Sequence, residues 1–296
     1  MMDAPKFIRD YTLQVQSNRG DATDQYTISS PITLEFDISR NIMSQANYAK
    51  FTLYNLAPDT RAAIYHDRMR VTPSAFQQIK LIAGYESSKQ RSLLFLGNIR
   101  TANSQRRGPD WITSIDAMDG GMCFVSGQVG LTIPVGATPE SVARIMTQSM
   151  DFVSFGAVGD VKFKNSRPMA MAGSAYEITQ RLYQNSNFFV DSGITYILND
   201  NEYLVKPGEM DLKLNTNNII GSPRRQEGWI DVDMIFEPGA YPAQRAFLSS
   251  RDGVYDGEYI VRGIKHSGTI SGAVCDKAIT TLSLWSGNET LTPVYL

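Results

Sequence analysis

At 296 residues, with 42% hydrophobic and 20% charged content, the chain has the composition of a folded globular protein with room for two or three domains of roughly 100–150 residues. A formal charge of -2 excludes the broad cationic surface that grips nucleic acid without reading sequence, and the basic clusters (Arg68 and Arg70; Arg100, Arg106 and Arg107; Arg224 and Arg225) read as solvated loops. Two distant cysteines, Cys123 and Cys275, exclude a disulfide framework and suggest assembly in a reducing compartment. No run of about 18 apolar residues occurs, so no spanning helix is expected. Met1-Met2-Asp3-Ala4-Pro5 does not read as a signal peptide. The expectation is a soluble protein or a part of a soluble assembly.

Taken in order, Tyr11 to Val15 and Gln25 to Ile28 read as short strands around a polar loop, in which Arg19-Gly20-Asp21 is a turn rather than an adhesion motif. Ile32, Leu34, Phe36 and Ile38 alternate with Thr33, Glu35, Asp37 and Ser39, the period of a half-buried strand. Ala49, Phe51 and Leu53 repeat the pattern up to Asn55. Pro58 and Asp59 suit the first turn of a helix, because proline's missing N–H costs nothing there and the acid meets the positive end of the dipole. Ala62, Ala63 and Ile64 continue that helix as the plug of a barrel. Gln78 to Tyr85 is the next strand, with Gly84 marking a bulge or a close approach.

A hairpin follows. Leu94 to Arg100 is one arm, Thr101 to Asp110 a polar, turn-rich loop, and Trp111 to Ala117 the return. The same grammar reappears near the end of the chain: Glu258 to Lys265, a loop holding Gly268 and Gly272, then Ala278 to Trp285. Gly97, Ile99 and Arg100 match Gly263, Ile264 and Lys265, which suggests a duplicated β unit. Between the two copies the pattern changes. Thr138-Pro139-Glu140 starts a helix with Val142, Ile145, Met146 and Ser149 on one face. Ser174 caps a second helix with Ala175, Ile178 and Leu182 inward. Phe188 to Asp191 and a hairpin, Thr195–Leu198 with Tyr203–Val205 turned by Asn199-Asp200-Asn201, complete an α+β insert closed by Pro207-Gly208. Methionines, Met118, Met122, Met146, Met150, Met169 and Met171 among them, bunch around it, as core filler or as an adaptable surface. Trp229 to Phe236 alternates again and stops at Pro238-Gly239.

Enzymatic signatures are sparse. His66 and His266 sit in no zinc pattern, and each reads as a surface or capping residue; no nucleophile elbow or phosphate loop occurs. Strand alternation turns Asp231 and Asp233 outward. Asn199-Asp200-Asn201-Glu202 lacks the ligand spacing of a calcium loop and reads as a turn. Asp116 with Asp119, or Glu35 with Asp37, could form a glycosidase pair only if the fold brought them together. No catalytic, cofactor or metal residue is assigned. With 14 tyrosines and three tryptophans, a glycan-binding or glycan-hydrolysing β module is the alternative reading.

The run Ala49-Lys50-Phe51-Thr52-Leu53-Tyr54-Asn55-Leu56-Ala57-Pro58-Asp59-Thr60, then Leu81-Ile82-Ala83-Gly84-Tyr85 and Leu94-Phe95-Leu96-Gly97-Asn98-Ile99, resembles the N-terminal part of tailed-phage baseplate hub proteins of the Mu-like type. Gly228-Trp229, Tyr259-Ile260-Val261 and His266-Ser267-Gly268 are similar to their closing barrel. The resemblance implies a mainly β fold in which two tail-tube-like antiparallel β-barrels, residues 1–119 and 208–296, flank a small α+β domain at 120–207. It implies a non-enzymatic virion component of the tail baseplate, assembled in the bacterial host cytoplasm. This would be a homotrimeric ring of six lobes, matching a sixfold tail tube protein to a threefold central spike protein around a channel for DNA. Tape-measure and baseplate wedge proteins are further expected neighbours; sequence-specific nucleic acid and a membrane span are not expected.

Overall fold

The computed structural model describes residues 8–16, 25–43, 46–65, 77–86, 91–120, 127–162, 166–272, 277–287 and 290–296. Arg19-Gly20-Asp21, His66, Arg68, Arg70, Met122, Cys123 and Cys275 lie outside the described residues. The first third is built from β1 (Arg9–Gln16), β2 (Gln25–Ser29), β3 (Leu34–Asn41), β4 (Tyr48–Tyr54), α1 (Pro58–Ile64), β5 (Gln78–Tyr85), β6 (Arg91–Arg107) and β7 (Asp110–Met118). The middle holds β8 (Gln128–Ile133), α2 (Pro139–Gln148), β9 (Ser154–Val158), β10 (Met169–Ser174), α3 (Ala175–Leu182), β11 (Asn187–Asp191), β12 (Ile194–Leu198) and β13 (Glu202–Val205). The last third is β14 (Leu212–Leu214), β15 (Arg224–Arg225), β16 (Ile230–Ile235), β17 (Arg245–Leu248), β18 (Gly257–Ile270), β19 (Ala278–Trp285) and β20 (Thr292–Tyr295).

The fold is mainly β, and its main sheet is continuous across both ends of the chain. Its order is β15-β16-β19-β18-β3-β4-β7-β6-β5-β1-β2, so the closing hairpin is hydrogen-bonded to the opening strands through β18 and β3. Alternation explains why: β3 buries Leu34, Phe36 and Ile38 and exposes the residues between. One apolar core gathers β1 to β7 and takes in Phe236, Ile270 and Ala278 from the last third. A second core lies between β14 and β19, and a third inside the middle segment. A fourth joins all three regions, packing Ile42 with Phe189, Tyr196, Leu198, Leu204, Tyr241 and Ala243.

The duplication is visible in the ladders. β6 pairs with β7 and skips Arg100; β18 pairs with β19 and skips Arg262. Two residues before each bulge the flanking strand enters, as Gln78↔Asn98 in one lobe and Arg245↔Ile260 in the other. One residue before each bulge the same backbone bond recurs: Ile99 N–H to the Gln77 carbonyl and Val261 N–H to the Gln244 carbonyl, both 2.9 Å. Both glutamines are buried, and each donates to a carbonyl, of Ala63 at 3.3 Å or Met210 at 3.0 Å. On the far side Lys50↔Asp116 corresponds to Asp231↔Ser283. Arg100 therefore matches Arg262, which corrects the match to Lys265 expected from spacing. The lobes diverge at their outer strands: β1 meets β5 antiparallel, whereas β14 meets β17 parallel.

Other expectations change for physical reasons. Thr101 to Arg107 is strand, and the turn shrinks to Gly108-Pro109, where Gly108 takes φ +60°; the stretch looks like a loop because it is solvated. The bulge in the β5–β6 ladder is on β6, where Leu94 is skipped opposite Leu81 and Ile82, leaving Gly84 in register. In α2 the Thr138 hydroxyl accepts the Ser141 N–H at 3.2 Å, but the buried face is Val142, Ala143, Met146 and Thr147, with Ile145 exposed. Met146 and Met150 fill the core there. The turn at Asn199 to Asn201 forms, yet β13 does not return along β12. It pairs parallel with β20, while β12 pairs with β11 and β9.

Candidate functional site

The described residues contain no group of three or more His, Cys, Asp or Glu side chains placed to hold a metal ion, and no helix long and apolar enough to cross a membrane. The charged groups converge instead on the joint between the lobes and the middle segment. Along β3 the inward parity of Leu34, Phe36 and Ile38 continues to Arg40, which is 3% exposed. Its guanidinium donates to both oxygens of Asp191 at 2.8 Å, from Nε and Nη2, and through Nη1 to the Ala240 carbonyl at 3.2 Å. One side chain thus ties β3, the end of β11 and the segment after β16. Burial opposes charge on both partners, but the fork geometry wins: Asp191 is held below the usual carboxylate range and Arg40 above its own ordinary value.

Beside this pair, Asp119 ends the N-terminal β unit in a buried site. Its carboxylate accepts the N–H of Ser192 at 2.5 Å and of Gly193 at 3.0 Å. These residues form the β11–β12 turn, both with positive φ (54° and 74°), the geometry of a tight primed hairpin turn whose amides point outward together. Burial, then the Asp191 charge, push Asp119 up to about 7 against those amides and Arg40. Asn47 adds a second stitch, donating to the Val190 carbonyl at 2.9 Å and accepting the Asn41 N–H at 2.9 Å. Burial also lowers Lys206, with Arg40 acting the same way and Asp191 opposing.

His266 lies inside β18 and is fully buried, which corrects the surface or capping role expected for it. Thr280 Oγ1 accepts the Glu237 N–H at 2.9 Å and lies 2.9 Å from His266 Nδ1. The ring stands edge-on to Phe236, and burial, then Arg40, pull its pKa down to about 3. A neutral, packed imidazole is a core residue. The spacing held two clues that its reading missed: Arg40 on an inward strand position, and His266 two residues from Ile264 on the buried parity of β18.

The opposite face of the sheet is polar. Asp37 and Ser39, Tyr48 and Lys50, Asp116, and Arg100 with Thr101 line a depression of about 380 Å³ across β3, β4, β7 and β6. Across the joint the same face continues with Lys265, which pairs with Asp37 at 3.2 Å, and with Asp233, which receives Arg224 and the Thr281 hydroxyl, each at 2.7 Å. Asp231 accepts the Ser283 hydroxyl at 2.7 Å, so both aspartates face outward as expected. Cations and anions alternate across this face.

The carboxylates considered as acid/base pairs have separate engagements. Asp116 is exposed and accepts the Thr101 hydroxyl at 3.0 Å, whereas Asp119 is buried on the turn. Glu35 accepts the Tyr54 hydroxyl at 2.7 Å, and Asp37 faces Lys265. Two of the three tryptophan faces carry guanidiniums: Arg61 lies 3.7 Å from the Trp111 ring centre and Arg262 4.8 Å from that of Trp285. Arg262 also reaches Asp200 at 2.7 Å in the Asn199–Asn201 turn.

Three comparisons bear on this architecture. Residues 10–269 match the family model described as baseplate hub gp41. A search of curated proteins found no significant match. Among solved structures, the chain is similar to the 43 kDa tail protein of prophage MuSo2 from Shewanella oneidensis (TM-score 0.58, 12% identity, 94% of this chain and 98% of that one). A tail protein from Neisseria meningitidis MC58 aligns with TM-score 0.56 and 10% identity over 93% of this chain and 96% of its own. The E. coli c3393 protein, a type VI secretion component with structural similarity to T4 tail proteins gp27 and gp5, aligns with TM-score 0.57 and 12% identity over 88% and 75%. At such identities these likenesses speak to the fold.

Proposed function

The chain belongs to the baseplate hub gp41 family, and on that premise we propose that three copies form a ring that joins the tail tube to the central spike of a phage baseplate. As a member of this family it is a structural protein of the virion tail. The reading rests on one observation above the others: two lobes with the same bulged ladder, joined edge to edge by β3 and β18 in one sheet. Three such chains present six similar lobes to a sixfold tube and threefold symmetry to a spike. The units 1–119 and 208–296 would be the ring lobes, and 120–207 a single-copy arm that marks every second position. The polar sheet face, with its interleaved charges, suits a channel wall past which DNA and a tape-measure protein slide without being held. Nothing in this role calls for chemistry at the sheet, and assembly would precede release from the host cytoplasm.

Sedimentation of the purified full chain, alone and mixed with its tube and spike neighbours, tests the reading. A trimer, or a complex with either neighbour, is the expected result. A chain that stays monomeric and binds neither speaks against it.

A further inference from the structure

The joint between the N-terminal lobe and the middle segment buries two carboxylates, and its arginine answers only one of them. Arg40 is fully engaged, with Nε and Nη2 on Asp191 and Nη1 on the Ala240 carbonyl. Asp119 forms no ion pair among the described residues. Its carboxylate is instead the point where the lobe grips the β11–β12 turn, through the amides of Ser192 and Gly193. Behind the turn, the Gly193 carbonyl accepts the Ser154 N–H at 2.8 Å, which couples it to β9. Phe152, just before β9, holds φ +61° although it is bulky, and it is 54% exposed. Its carbonyl and the Leu96 side chain of β6 lie beside Gly193. Strained backbone and a seam between two regions therefore meet at the turn that Asp119 holds.

The remaining groups around the seam leave that carboxylate without a cation of its own. Arg40 faces it from β3, forked onto the Asp191 carboxylate of β11. Tyr196 of β12 is kept neutral by burial, and His266 of β18 is neutral in the core. Beyond β13, the Lys206 ammonium lies 4.2 Å from the Tyr241 ring centre and acts on Asp191, with Glu209 beside it. Both cations thus serve Asp191, and Asp119 is neutralised by a proton.

We propose that Asp119 is a proton-operated latch: protonated, it seats the β11–β12 turn against the N-terminal lobe, and ionised, it loosens that seat while the lobes stay folded. The latch stands whether or not the chain forms a ring. In the closed joint the carboxyl titrates at about 7, whereas in an opened, hydrated joint it returns to its ordinary 3.8. Closure is therefore tightest below about pH 4, weakens about tenfold per unit as pH rises to about 7, and then levels off because both states are ionised. The full change is about a thousandfold in the fraction open.

Amide hydrogen exchange of the full-length protein, corrected for the intrinsic pH dependence of exchange, reads this opening from about pH 5 to about pH 8.5. Residues 188–194 should be at least about tenfold less protected than β4 at every pH, because they open without global unfolding. Their protection should fall about a hundredfold between about pH 5 and about pH 7 and then stay level. Asp119→Asn should give a flat profile over the same residues. Asp191→Asn, which frees Arg40 to answer Asp119, should reduce the fall to about tenfold or less. A wild-type turn whose protection ignores pH overturns the latch. So does protection equal to that of β4, since the turn would then open only when the whole chain unfolds. An Asp191→Asn profile identical to wild type overturns the sharing of charge on which the latch depends. Should Asp119→Asn not fold, the wild-type and Asp191→Asn profiles decide.

Discussion

Replacing Asp119 with asparagine should change how stability depends on pH. The wild-type carboxylate is buried on the amides of Ser192 and Gly193, with a pKa of about 7 against an ordinary 3.8. A group that holds its proton more tightly when folded than when unfolded favours folding at low pH. That contribution is full below about pH 4 and is lost as pH rises through about 7. At 1.36 kcal/mol per unit, a gap of about three units amounts to about 4 kcal/mol. Asparagine keeps an oxygen for the turn and does not titrate. The unfolding free energy of Asp119→Asn minus that of wild type should therefore rise by about 4 kcal/mol between about pH 4 and pH 8. Buried His266 has the opposite slope, since its lowered pKa removes stability as pH falls below about 6.5, but it is common to both proteins and cancels in the difference. Urea unfolding followed by tryptophan fluorescence across that range reads the quantity directly. Parallel curves for the two proteins would refute the reasoning.

Arg40→Met leaves Asp191 buried without its cation and the Ala240 carbonyl without that donor, so a loss of about 3–5 kcal/mol is expected in denaturant unfolding. Adding Asp191→Leu should recover most of it, and a double variant no better than the single one would contradict the pairing argument. Gly159→Ala places a methyl group on the Glu202 carboxylate, which accepts the N–H of Asp160 and of Asn199 at 2.7 Å each. Thermal unfolding should register a loss of about 1–3 kcal/mol, and an unchanged midpoint would show that the loop gives way freely.

Much of the β architecture is legible in residue order because half-buried strands write their period into the chain, as β3, β4, β16 and β19 do. What escapes is whatever alternation does not encode. Beyond Ala102 the outer half of β6 is polar on both faces, so it resembles a loop. β13 leaves β12 for β20, a parallel pairing across nearly ninety residues that no turn signal announces. Which basic residue of the second hairpin answers Arg100 depends on where a bulge falls, a property of two strands together. The central ion pair was half readable: Arg40 holds an inward position, but nothing local says that Asp191 will meet it.

The backbone pairing between β3 and β18 has a mechanical corollary. Eight residue pairs stitch the two lobes within a single covalent chain, and Arg40 bolts the third region to that stitch. In an annulus of such chains, strain would find its weakest points at the junctions between molecules. Dilation under the load of a passing polymer would then open three gaps rather than six, and the aperture would widen as a triangle.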